Sequence, residues 1–155
     1  YDQEADMEQE ISAIAVGHFA SGCNCSQAVL ASFAQRLGLE TPMAIRLATG
    51  FGVGMARGGA CGAVTGAVMV LGLAGGGGGP GGAAAKTATY ARVQEFYDQF
   101  IDRHGSIICR DLLGVDPSTP QGLEQARREQ RFQTVCTKFV ADAAALVETM
   151  LRPGN

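Results

Sequence analysis

Apolar side chains recur along most of the chain at three- and four-residue intervals, a rhythm that predicts helices and leaves no convincing period-two strand. In the first rod, Ala5 to Phe19, the stripe is Met7, Ile11, Ile14 and His18/Phe19. Asp2, Glu4, Asp6 and Glu8 gather at its N-terminal end, where the helix dipole favours negative charge. Ser21-Gly22 breaks it. Cys23-Asn24-Cys25-Ser26 then opens a second helix with the stripe Ala28/Val29, Ser32/Phe33 and Leu37, closed by Gly38, so Cys25 falls in its first turn. Thr41 as cap and Pro42 as first helical residue predict a third helix carrying Met43, Ile45, Leu47, Phe51 and Met55. Gly50, Gly52 and Gly54 inside it would each cost about 1 kcal/mol against Ala if exposed. They therefore point to close packing, with the bare side of the following helix as the expected neighbour.

That following helix, Gly58 to Leu73, organises the rest. Gly58 and Gly59 free the backbone to turn just before Cys61, and Gly62, Ala63, Gly66 and Ala67 keep one face nearly bare for a close neighbour. Val64, Val68, Met69, Val70, Leu71 and Leu73 leave no polar face, which predicts a rod wrapped on all sides. Gly75 to Gly82 is a flexible loop. An amphipathic helix from Ala83 to about His104 follows, with Tyr90, Val93, Tyr97, Phe100 and Ile101 inward, ended by Gly105. A short helix capped by Ser106 and stopped by Gly114 puts Cys109 in its opening turn. The last helix runs from about Gly122 to Leu151 and carries Cys136 on its buried stripe with Phe132, Phe139/Val140, Ala143, Leu146/Val147 and Met150. The expectation is an all-α, single-domain bundle of about six helices over residues 1–155, around a buried Gly/Ala-rich central helix.

Composition sharpens this picture. A chain of 155 residues hides roughly 70% of its unfolded surface and needs no disulfide to fold. With 22 glycines, no tryptophan and 17% charged residues, the interior is one of small, closely packed side chains. A net charge of -3 with only two lysines, Lys86 and Lys138, argues against nucleic-acid binding, because phosphate affinity comes from Lys and Arg. Arg127, Arg128 and Arg131, interleaved with Glu129 and Gln130, read as a solvated face. The central apolar helix, about 21 Å long, falls short of the roughly 30 Å of a bilayer core. No span or signal peptide is expected and the cytoplasm is the default compartment. Reduced thiols are normal there, so five cysteines suggest metal or redox chemistry before structural crosslinks. Neither the GFGVG string nor the lead into Lys86-Thr87 fits a nucleotide-binding loop.

The cysteines form a chemical pattern. Cys25, Cys61 and Cys109 open helices, and Cys136 faces the core. A helix N-terminus supplies free amides worth roughly 0.3 to 1 kcal/mol per thiolate, so three aimed at one point would stabilise a strongly anionic centre. A four-thiolate iron-sulfur cluster is such a centre. Zinc is less favoured, because structural zinc sites draw ligands in local C-x-x-C pairs and none occurs. Two other readings stand beside the cluster. The thiols could cycle a disulfide, with Cys61 as the low-pKa nucleophile, or the cysteines could pack as small hydrophobes in a non-catalytic binding module.

Gly22-x-Asn24-Cys25-Ser26-Gln27-Ala28-Val29-Leu30, Gly50-Phe51-Gly52-x-Gly54-Met55, Cys61-Gly62-Ala63-Val64-Thr65-Gly66-Ala67, Cys109-x-x-Leu112-Leu113-Gly114 and Cys136 together resemble the four-cysteine C_GCAxxG_C_C family, described as redox-active. The resemblance covers nearly the whole chain and implies that Cys25, Cys61, Cys109 and Cys136 are its characteristic cysteines, with Cys23 an extra. A similar domain occurs beside the haem region of split-Soret cytochromes, where it is linked to a two-iron cluster. The resemblance therefore implies an electron-transfer role with a 2Fe-2S cluster on those four residues and an unidentified redox partner. No C-x-x-C-H is present, so no c-type haem is implied.

Remaining candidates have plainer explanations. His18 and Cys23 are second-choice ligands, His18 reading first as a packing residue. His104 at a helix C-terminus reads as a favourably placed cation. Arg57 could balance charge near Cys61 but reads as solvated, and Thr65 could hydrogen-bond inward or back to its own helix. The bare helical faces and the glycine loop are candidate homodimer contacts, and neither fixes the oligomeric state. Nothing suggests a hydrolase.

Overall fold

The glycine-lined face of the central helix, α4 (Gly62–Gly75), lies against α2 (Cys25–Ala34) at backbone distance. A Cβ on Gly66 would sit 2.8 Å from the Ser26 carbonyl oxygen, and one on Gly62 would sit 3.0 Å from Cys25 Cβ. Real Cβ contacts are longer, so glycine is what lets the two rods close. The neighbour is therefore α2, not the glycines of residues 50–54. The structure, a computed structural model, describes residues 2–154.

Around this pair pack α1 (Gln3–Ala20), α3 (Thr41–Ala48), α5 (Ala83–His104), the short α6 (Cys109–Leu113), α7 (Pro120–Arg128) and α8 (Thr137–Met150). The fold is all-α, with eight α-helices among the described residues and no strand, only an isolated antiparallel bridge between Ala60 and Ile108. No described helix is long and apolar enough to cross a membrane. The core joins Phe33 and Leu30 of α2, Val64 and Leu71 of α4, Phe96 and Phe100 of α5, and Val140 and Leu146 of α8, all nearly inaccessible. Burying such side chains contributes roughly 1.5 to 3 kcal/mol each. α1 lies along α8, where Ser12 Oγ donates to the Ala141 carbonyl at 2.9 Å and Thr149 Oγ1 to Glu8 at 2.6 Å.

Several expectations are corrected. The predicted third helix stops at Ala48. A 3-10 turn at residues 49–51 follows, then Gly52 is extended and the chain enters left-handed backbone at Val53. The glycines break the helix there. Its N-cap is Glu40, with Thr41 already helical and Pro42 behind it. The long last helix is likewise interrupted: α7 ends at Arg128, Gln130 takes φ 54°, and a wide turn over Phe132–Cys136 leads into α8. The first break shortens a helix, and the second adds one by dividing the last into α7 and α8, for eight in place of about six. On α5 the inward stripe is Phe96, Phe100 and His104, while Tyr90 and Ile101 face out. On α1 it is Ile11 and Ala15, with Met7 and Ile14 exposed. The last turn of α4 is exposed too, so only its first two and a half turns are wrapped.

Candidate four-cysteine site

Each cysteine reaches the site by its own local device. Cys25 is the first residue of α2, behind a full capping box: Asn24 Oδ1 accepts from the Gln27 amide at 2.9 Å and Gln27 Oε1 accepts from the Asn24 amide at 2.8 Å. The same two side chains reach outward, Asn24 Nδ2 to the Thr49 carbonyl and Gln27 Nε2 to the Ile45 carbonyl, tying the end of α3 to the start of α2. Cys61 is itself the N-cap of α4, where the amides of Ala63 and Val64 favour its thiolate without a side-chain capping bond. Cys109 begins α6. Its amide donates to the Gly59 carbonyl at 2.6 Å, and the Cys61 amide donates to the Ile107 carbonyl at 2.8 Å, so two segments distant in sequence are stitched together at their cysteines. Cys136 ends the wide turn before α8, facing the core.

All four line one pocket of about 150 Å³, room for a group about the size of a benzene ring. Its remaining walls are almost wholly apolar, Phe19, Leu112, Phe132 and Phe139 among them, with Val53 and Gly54 on one side. Cys61, Cys109 and Cys136 are buried and Cys25 is half-buried; all are free thiols. Neither Cys23 nor His18 lines the pocket. Among the described residues, no three His, Cys, Asp or Glu side chains converge on the position of a single ion. The thiols surround a space instead of a point.

Electrostatics divides them into two kinds. Cys25 and Cys136 are in side-chain hydrogen-bond contact. That bond, with the Cys25 thiol as donor, holds the Cys25 proton well above the usual range and brings Cys136 below it against the opposing effect of burial. Burial pushes Cys61 up to about 11, outweighing the two amides that favour its thiolate. Burial and the neighbouring Cys61, Cys136 and Asp116 push Cys109 up to about 12. Burial thus keeps Cys61 from being the acidic thiol expected from its helix start, and among the four the Cys25 contact favours the thiolate at Cys136.

The walls were partly legible in the sequence. Phe132, Cys136 and Phe139 recur at helical spacing, so the two rings could have been assigned to the surroundings of Cys136. No sequence signal marked the turn at residues 53–58. Val53 (φ 55°), Met55 (φ 58°) and Ala56 (φ 59°) are left-handed without being glycine, at about 1–2 kcal/mol each, and a β-branched valine there is an outlier. Between them Gly54 (φ 62°) lies so close to Cys109 that a Cβ would come within 2.6 Å of Cys109 Cβ. Other candidates fall to their plainer readings. Arg57 is exposed, and Thr65 Oγ1 bonds back to the Gly62 carbonyl at 3.1 Å with Ser26 Oγ at 3.4 Å. His104 departs from its reading as a cation. Its side chain is 5% exposed between Phe100 and Phe139, and burial lowers its pKa although Asp142 Oδ2 lies 2.9 Å from Nε2.

One all-α domain thus gathers four cysteines from four separate elements around one small apolar pocket. The chain is a member of the family described as "Putative redox-active protein (C_GCAxxG_C_C)", which matches residues 23–150. No curated protein and no solved structure matches it.

Proposed function

We propose that this protein is an electron-transfer protein whose pocket holds an iron-sulfur cluster, of the two-iron type, through Cys25, Cys61, Cys109 and Cys136. The observation that carries the reading is the gathering of those four thiols, from near one end of the chain to near the other, around a single small apolar space. Such a cluster, when bound, takes up and releases single electrons at a potential set by its surroundings. The donor set fits it. A two-iron core would take four thiolates, two to each iron, and four cysteines line the pocket. The amides of Ala63 and Val64 at the Cys61 sulfur would raise the potential, and the apolar walls would keep water from the sulfurs. Five free thiols suit a reducing compartment such as the cytoplasm. The test is anaerobic reconstitution with iron and sulfide, read by iron and acid-labile sulfide content and visible absorption. Stoichiometric iron and sulfide in the wild type and in Cys23→Ser, lost on serine substitution at any of the four, is expected; a colourless, iron-free product would refute the assignment.

A second reading is favoured by the Cys25–Cys136 contact. A metal-free protein would cycle a disulfide between them. The Cys136 thiolate attacks a small-molecule disulfide and expels one thiolate; Cys25 then attacks the mixed disulfide, loses its proton and releases the second. Reversible loss of two thiols at a defined potential, without iron, would identify this case.

A further inference from the structure

We propose that the turn at residues 53–58 is a strained lid over the four-cysteine pocket, which opens on the Cys109 side to admit what the thiols bind. Val53 and Gly54 form part of the pocket wall. Yet Val53 is 39% and Met55 50% exposed, so little packing holds these left-handed residues in place. Such backbone persists only where its surroundings hold it. Here the turn is closed by its own helical bonds, by the bond from the Gly59 amide to the Gly54 carbonyl at 2.9 Å, by the fit of Gly54 against Cys109 and, at its far end, by Gly58 against Asp116, Arg110 and Pro117.

The flanks differ from the turn. Beyond it, the backbone bonds from Cys109 to Gly59 and from Cys61 to Ile107 fix both cysteines to each other independently of residues 53–57. Before it, Gly52 is buried and extended against Asn24, where a Cβ would come within 2.6 Å of Asn24 Nδ2. Gly52 and Gly58 (φ 65°) thus stand as hinges at either end of a segment that relaxes when it lifts. The segment moves while its ligands stay. The strain is stored in the closed form and is released on opening, which needs no unfolding of the α-helices.

The inference rests on the pocket being the functional site, but not on its occupant, so it is tested on reduced, metal-free protein. Brief alkylation with iodoacetamide under native conditions is followed by mass spectrometry of each cysteine, with Cys23, outside the pocket, as internal reference. The double variant Met55→Gly, Ala56→Gly relieves strain in the closed form while leaving the Val53 wall in place, and should slow labelling of Cys109 and Cys61 by about tenfold relative to Cys23. Unchanged or faster labelling would overturn the lid. In Gly54→Ala the added Cβ meets Cys109 and the Gly59 amide, so closure fails and Cys109 should label faster, with helical circular dichroism retained. An unchanged Cys109 rate in that folded variant would also overturn it. Iron reconstitution of the same preparations reads the cluster assignment separately, so either proposal can fail alone.

Discussion

Cys25 and Cys136 meet through their side chains alone, whereas Cys61 and Cys109 are held by hydrogen bonds between the backbones that carry them. The first pair belongs to α2 and the approach to α8, so its contact reports how the large helices dock. The second sits on a local stitch and depends little on that docking. A polar centre in an apolar core can therefore be placed by two independent means. Their thiols differ in turn: Cys136 is the acidic one, while Cys61 and Cys109 are driven by burial toward the neutral form.

The largest effect should come from deleting one member of the side-chain pair. In metal-free protein treated with a small disulfide, the first internal bond is expected to join Cys25 to Cys136. Cys136→Ser should abolish it and Cys61→Ser should leave it, as read by peptide mapping; a first bond between Cys61 and Cys109 would reverse the comparison. A smaller effect should follow from forcing the helices apart. Gly66→Ala puts a Cβ 2.8 Å from the Ser26 carbonyl oxygen, and such overpacking costs about 1–3 kcal/mol, measurable as a lower urea midpoint. Because it displaces α2, it should slow formation of the Cys25–Cys136 bond more than it alters labelling of Cys61 and Cys109.

The smallest effect concerns acid. With its pKa lowered by burial, His104 binds a proton less readily folded than unfolded, so the stability tied to its neutral form is present above the unfolded value near 6.5 and is lost as pH falls through the folded value. Its ring meets Phe139, a wall of the pocket, edge to face. His104→Gln should flatten the slope of stability against pH below 6.5, and a wild-type slope unchanged by this substitution would assign the acid response to other groups.

The helical class, the small-residue face of α4 and the inward direction of Cys136 were legible because each depends on a repeat within one segment. The four-cysteine pattern was legible through family resemblance, whereas convergence on one pocket follows from how the rods dock, which periodicity along a chain does not encode. The break after Ala48 was misread because Phe51 and Met55 continue the apolar rhythm while the backbone has left the helix. The interruption at Gln130 was hidden for the same reason: Phe132 and Cys136 keep the spacing of the helix that follows. His104 was misjudged because position at a helix end says nothing about the rings of Phe100 and Phe139 around it.

The distribution of the four thiols along the chain has a consequence for biosynthesis. A ribosome delivers Cys25 first of the four and Cys136 last, with most of the helices made in between. The pocket can therefore close only once translation has passed Cys136, and a shorter nascent chain leaves the earlier sulfhydryls without their last wall.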